Sequence, residues 1–110
     1  MENVRFEDWK KLDLRVGEII EIEDIENSDK LLKLKVDLGT ETRSVVAGLK
    51  QFYTKEELEG KRCVLFCNLE PKKLKGILSE GMILAAVNED SSEIRIIQPD
   101  GEIELGSKIF

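Results

Sequence analysis

Lys72, Lys73 and Lys75 crowd onto one proline- and glycine-bounded turn, Leu69-Glu70-Pro71-Lys72-Lys73-Leu74-Lys75-Gly76, between two runs that read as buried strands. Lysine ammoniums meet phosphates as mobile point charges, and each phosphate neutralised releases condensed counterion. Asn68, just before the turn, can donate and accept toward a base or sugar. Ser79 and Met82, just after it, supply a hydroxyl and a flexible apolar surface able to sit against an unpaired base. The chemistry on offer is the docking of a polyanion. Charge alone does not separate that reading from a turn kept soluble by its lysines. Asp29-Lys30, on an earlier turn, reads by itself as a turn-forming aspartate followed by a solvated lysine.

The distribution of charge favours docking. The chain carries a net −6, which taken whole argues against nucleic acid. Residues 60–79, however, hold Lys61, Arg62, Lys72, Lys73 and Lys75 against a single acid, Glu70. Local potential governs steering over a Debye length of about 10 Å, so the local excess outweighs the global sum. Catalytic inventories are missing. The chain has no histidine, no nucleophile elbow, no Walker loop and no Gly-x-Gly-x-x-Gly. Cys63 and Cys67 sit on one strand with Cα atoms about 13 Å apart, too far for a disulfide. Two thiols without a histidine cannot assemble the usual zinc sets, so buried structural thiols are expected, with no metal and no cofactor. The composition, 41% apolar and 36% charged, is that of a globular chain. No run approaches the roughly 18 apolar residues of a membrane helix, and the first residues lack a signal-peptide layout. A single soluble, cytoplasmic binding domain spanning 1–110, not an enzyme and not bound to membrane, is the expectation.

The elements that must position these residues follow from periodicity. Val4 to Leu12 places Phe6 and Trp9 at near-helical spacing, a short N-terminal helix or turn whose aromatics read first as core packing. Leu12 to Ile25 alternates, with Leu14, Val16, Ile20 and Ile22 predicted on one face and Gly17 tolerating a bulge or sharp bend. Residues 26–29 form a turn, Leu32 to Leu38 a half-buried strand, and Gly39-Thr40-Glu41 a hairpin into Thr42 to Leu49. Thr54-Lys55-Glu56-Glu57 matches a capping box, and Gly60 ends that short helix. Lys61 to Leu69 is apolar on both faces and so runs inside the sheet, followed past the lysine turn by a strand from Met82 to Val87. Ser92 to Gln98 and Glu102 to Leu105 are expected to pair across Pro99-Asp100-Gly101 as a terminal hairpin. The order is all-β with a long bent first strand and a short helix between strands three and four, the layout of an OB-fold, a five-stranded Greek-key barrel. The 5% aromatic content offers no stacking ladder, so folded RNA read by shape and phosphate is favoured over a single strand.

Six segments in register carry a resemblance. They are Asp13 to Ile19, Ser28-Asp29-Lys30-Leu31, Lys35 to Gly39, Val45-Val46-Ala47-Gly48, Asn68 to Gly76, and Ser79-Glu80-Gly81-Met82. Together, from Phe6 to Lys108, the chain resembles the tRNA-binding domain attached to methionyl-tRNA synthetases or standing free beside them. That group includes free-standing tRNA-binding proteins, the cytokine-like domain of multisynthetase complexes and an export-related chaperone group. A free-standing or beta-subunit-like member and the C-terminal domain of a longer synthetase would look alike. The resemblance implies an OB-fold with C-terminal additions and a homodimer. It also implies largely sequence-independent tRNA binding that helps the synthetase's catalytic subunit capture tRNA. By matching position, tRNA contacts would involve Lys30, Asn68, Lys72, Lys73, Lys75, Ser79 and Met82. Many relatives carry His-Pro where this chain has Glu26-Asn27, so a contact from that histidine is lost. Apolar residues near both chain ends, Phe6, Trp9, Ile109 and Phe110, are the candidates for a dimer interface. A chaperone that binds unfolded peptides on the same fold, and a scaffold that only docks a synthetase, stand as alternatives.

Overall fold

The computed structural model describes residues 1–110 throughout. Strands β1 (Leu14–Asp24), β2 (Leu32–Asp37), β3 (Thr42–Ala47), β4 (Arg62–Phe66) and β7 (Met82–Ile83) form one antiparallel sheet in the order β3-β2-β1-β4-β7. Two short hairpins stand beside it, β5 (Lys72–Leu74) with β6 (Ile77–Ser79), and β8 (Ala85–Val87) with β9 (Ile94–Ile96). Helix α1 (Phe6–Trp9) precedes β1, and α2 (Lys55–Leu58) lies between β3 and β4. The sheet curls until β3 faces β6 and β7, giving a nearly closed five-stranded barrel of the OB type.

The long first strand makes the curl possible by changing partners. Residues 14–18 pair with β4, and residues 18–24 pair with β2. A Cβ at Gly17 would stand 2.5 Å from Val36 Cγ1, so glycine is needed for close approach of the strands. Gly17 reads as tolerating a bulge or a sharp bend, and the bulge itself lies further on, between Ile19 and Glu21, where the register with β2 shifts. The shift turns Ile19 into the core and leaves Ile20 half-buried, reversing the predicted facing. Strand β4 is inner as predicted. Cys63, Leu65 and Cys67 join the central cluster with Ile19, Leu32, Leu34, Val36 and Val45, while Val64 is buried on the opposite face.

The α2 cap forms as its sequence requires. The Glu57 amide donates to Thr54 Oγ1 at 3.1 Å, and the Thr54 amide donates to Glu57 Oε1 at 2.8 Å. Reading the chain past Ile83 needs two corrections. The predicted strand from Met82 to Val87 breaks at Leu84, whose amide still reaches Val64 while its carbonyl accepts from Ile97. Beyond that switch β8 pairs with β9, so Ile94–Ile96 is not the partner of Glu102–Leu105. Residues 102–105 form no strand, because the open edge of β1 captures the chain just downstream. The Gly106 amide donates to Val16, the Val16 amide to Ser107, and the Ile109 amide to Leu14, at 2.8–2.9 Å. Helix α1 buries none of its residues. Phe6 is 71% exposed, so the expected core role of its aromatics does not hold.

Candidate nucleic-acid interface

The lysine turn is a hairpin with a two-residue tip. Leu74 pairs with Ile77, and between them Lys75 and Gly76 both take positive φ, 52° and 79°. Two positive φ values give the primed turn whose twist matches the flanking strands. Leu74 and Ile77 are half-buried and Ser79 is buried, so this face looks toward the barrel. Lys73 and Leu78 pair directly on the other face and stand in solvent. At the tip, Lys75 Nζ donates to the carbonyl of Asn27 at 3.3 Å, tying the hairpin to the β1–β2 turn that also carries Lys30.

Five lysines elsewhere are paired with acids, while Lys10, Lys61 and Lys108 are not. Lys33 and Lys35 pair across the sheet with Glu23 and Glu21, and Lys50 and Lys55 share Asp24. The Lys55 ammonium hydrogen-bonded to it holds the Asp24 carboxyl below the usual carboxylate range. Lys30, Lys72, Lys73 and Lys75 are exposed and have no acidic partner within 4.0 Å. A cation without a local counter-charge keeps its full attraction for an arriving phosphate.

Two of the sequence candidates are otherwise engaged. The Asp13 amide donates to Asn68 Oδ1 at 2.8 Å, and Asn68 Nδ2 donates to the Lys11 carbonyl at 2.7 Å. Asn68 therefore staples the segment between α1 and β1 to the root of the hairpin, leaving only its remaining valences for a ligand. Ser79 is 5% exposed, and its hydroxyl accepts from the Val46 amide at 2.9 Å and donates to the Gly81 carbonyl at 3.2 Å. It faces the barrel and not the solvent, which corrects its reading as a surface contact. Met82 stays 47% exposed and lines an apolar groove with Val46, Gly48, Val87 and Ile94.

Arg43 is the residue that sequence reasoning missed. Its Nη1 donates to the Cys67 carbonyl at 2.7 Å and the Glu80 carbonyl at 3.1 Å, one on either side of the lysine hairpin. Its Nε and Nη2 reach the Glu41 carboxylate, which aims the fork. The hydrogen bonds it donates to the Glu41 carboxylate raise the guanidinium above its ordinary pKa, so its charge persists at any working pH. Within Thr-Arg-Ser-Val-Val nothing marks Arg43 off from an ordinary solvent-facing strand cation.

The terminal candidates do meet. Phe6, Trp9, Ile109 and Phe110 line one pocket of about 180 Å³ together with Leu12. Lys10 sits over the Phe6 ring at 5.6 Å and Lys108 over Phe110 at 6.0 Å. Both thiols are buried, and burial pushes Cys63 up to about 12, so it stays protonated near neutrality.

Comparison with known proteins converges on one group. The family described as "Putative tRNA binding domain" matches residues 14–108. The methionine–tRNA ligase of Pyrococcus horikoshii is 54% identical over 109 residues, covering 99% of this chain and 15% of the ligase. Among solved structures, a MetRS related protein from the same organism superposes with a TM-score of 0.93 at 35% identity, covering 100% of both chains. The chaperone CsaA of Bacillus anthracis superposes with a TM-score of 0.90 at 31% identity, covering 99% of this chain and 100% of that one.

Proposed function

The chain belongs to the tRNA-binding domain family, and from that premise we propose that it is a non-catalytic module that captures tRNA by shape and charge for methionyl-tRNA synthetase. The single observation carrying this reading is the set of uncompensated cations Lys30, Lys72, Lys73 and Lys75 on two touching loops of an otherwise acidic chain. The proposal takes residues 1–110 as one binding unit working in the cytoplasm, with the synthetase's catalytic subunit as protein partner. It pairs two copies through Phe6, Trp9, Ile109 and Phe110. Phosphate contacts come from the four lysines, apolar contact from Met82, while Asn68 and Ser79 hold the hairpin in place. The chain spans only 15% of the ligase it matches, and the proposal assigns no aminoacylation chemistry to it.

Binding of tRNA measured against salt tests the proposal, with a DNA duplex and single-stranded RNA as controls. The parent is expected to lose affinity steeply as salt rises. Changing Lys72, Lys73 and Lys75 together to alanine should weaken binding and flatten the log–log salt slope by up to about three units, one per lost phosphate contact. Unchanged binding by the triple variant would remove the hairpin from the site.

A second reading, a chaperone for unfolded peptides, draws support from the likeness to CsaA, named as a chaperone, and from the apolar groove beside Met82. Competition between unfolded polypeptide and tRNA separates the two. Peptide binding without any tRNA binding would decide for the chaperone.

A further inference from the structure

We infer that the groove lined by Gly48 and Met82 is a slot for one unpaired nucleobase of the bound RNA; this rests on the tRNA-binding reading above and extends it from phosphate to base. The groove holds about 250 Å³ between Val46, Gly48, Met82, Val87 and Ile94, and its lining is almost wholly apolar. That volume falls below the roughly 300 Å³ at which pockets begin to take drug-sized ligands, so it suits a single ring system. Gly48, Val87 and Ile94 also line an adjoining cleft of about 350 Å³, which continues past Phe52 to Lys30, Gln51 and Ser91. The apolar slot therefore opens into a polar mouth bearing a lysine with no acidic partner.

Charge selects the occupant. An apolar peptide side chain would fill the slot equally well, but its backbone offers Lys30 only a neutral carbonyl, where a phosphate offers a full negative charge and the stronger, charge-assisted hydrogen bond. A nucleotide presents a flat apolar face to the slot and an anionic phosphate to the mouth, with base-edge donors and acceptors within the compass of Gln51 and Ser91. Met82 at the far wall adjoins β4 through its pairing with Phe66, on the side from which the lysine hairpin springs. The far wall of the slot is thus joined through β7 and β4 to the hairpin that carries Lys72, Lys73 and Lys75.

Gly48 gives a clean test. It is exposed, its φ is not positive, and nothing lies within 4 Å of where its Cβ would stand. Gly48→Leu puts a bulky apolar side chain where the slot meets its mouth, both of which Gly48 lines, with no atom close to its Cβ to be displaced. Losing the burial of one ring face against aliphatic side chains is expected to lower tRNA affinity about tenfold, with the salt slope unchanged because no phosphate contact is lost. A blunt RNA duplex with no unpaired base should bind parent and variant alike. Should Gly48→Leu fail to fold, as judged by its melting curve, Met82→Ala removes the exposed far wall instead and carries the same expectations. Equal tRNA affinity of parent and variant overturns the inference alone, as does an equal loss on the duplex. Unchanged tRNA binding with weakened binding of a reduced, carboxymethylated unfolded protein assigns the groove to polypeptide and also overturns it. If the parent binds no tRNA, the proposed function fails first, which the parent's own titration shows before any variant is made.

Discussion

At position 79 a side-chain hydroxyl stands in for a missing strand. Where β3 should meet β7, the ladder is incomplete, and the Val46 amide is satisfied by Ser79 Oγ. An amide buried without a partner costs about 1–3 kcal/mol, so Ser79→Ala should destabilise by that amount, read as an earlier thermal or urea midpoint. The expected companion result is near-parental tRNA affinity at a temperature where the variant is folded. A large loss of affinity with unchanged stability would instead make Ser79 a direct contact. Sequence could place Ser79 beside the lysines, but not its direction. In a three-residue strand one step of register decides which face a side chain takes. Asn68 presents the same difficulty, since its partners Lys11 and Asp13 lie more than fifty residues away in sequence. The lysines were easier, because their role needs exposure and charge, both readable locally.

At the scale of elements, the hairpin β5–β6 is held at its tip by Lys75 and spanned at its roots by Arg43. Hydrogen bonds to a charged group contribute about 1.5–3 kcal/mol, and Arg43 makes two to carbonyls that flank residues 68–79. Arg43→Met keeps the aliphatic stem and removes both. Amide hydrogen exchange in residues 72–79 is then expected to quicken, while exchange in the β1–β2 ladder stays slow. Uniform quickening across the barrel would show Arg43 to be a general stabiliser and not a tie on this hairpin. Regular elements were largely legible. Alternation gave β2, a run apolar on both faces gave β4, and the Thr54–Glu57 pair gave α2 with its cap. Errors fell where pairing depends on distant edges. Glu102 to Leu105 alternates like a strand, yet the vacant edge of β1 takes residues 106–109 instead. Ile20 lost its predicted facing to a bulge that no single residue type announces.

For the whole molecule, exposure of the two terminal segments is the open account. Phe6 is 71% exposed and Phe110 94% exposed, and both border the same pocket as Trp9 and Ile109. Aromatic rings left in solvent on adjoining segments are what an interface between two copies would cover, and a C2 pairing brings each patch onto itself. The proposed dimer also bears on tRNA capture. A net −6 chain presents few free cations, and pairing doubles them on one particle, raising avidity without new contacts. Changing Phe6 and Phe110 together to serine removes two exposed rings, so monomer stability should hold within about 0.5 kcal/mol. The mass from light scattering at micromolar concentration should then fall from dimer to monomer. Affinity for tRNA should fall with it, and the salt slope per complex should drop toward half, since one hairpin remains to meet the RNA. A parent that is already monomeric at that concentration would sink the dimer. A double variant that stays dimeric would move the interface elsewhere. Full affinity in a monomeric variant would show that a single copy supplies every phosphate contact, leaving the exposed rings to serve another partner.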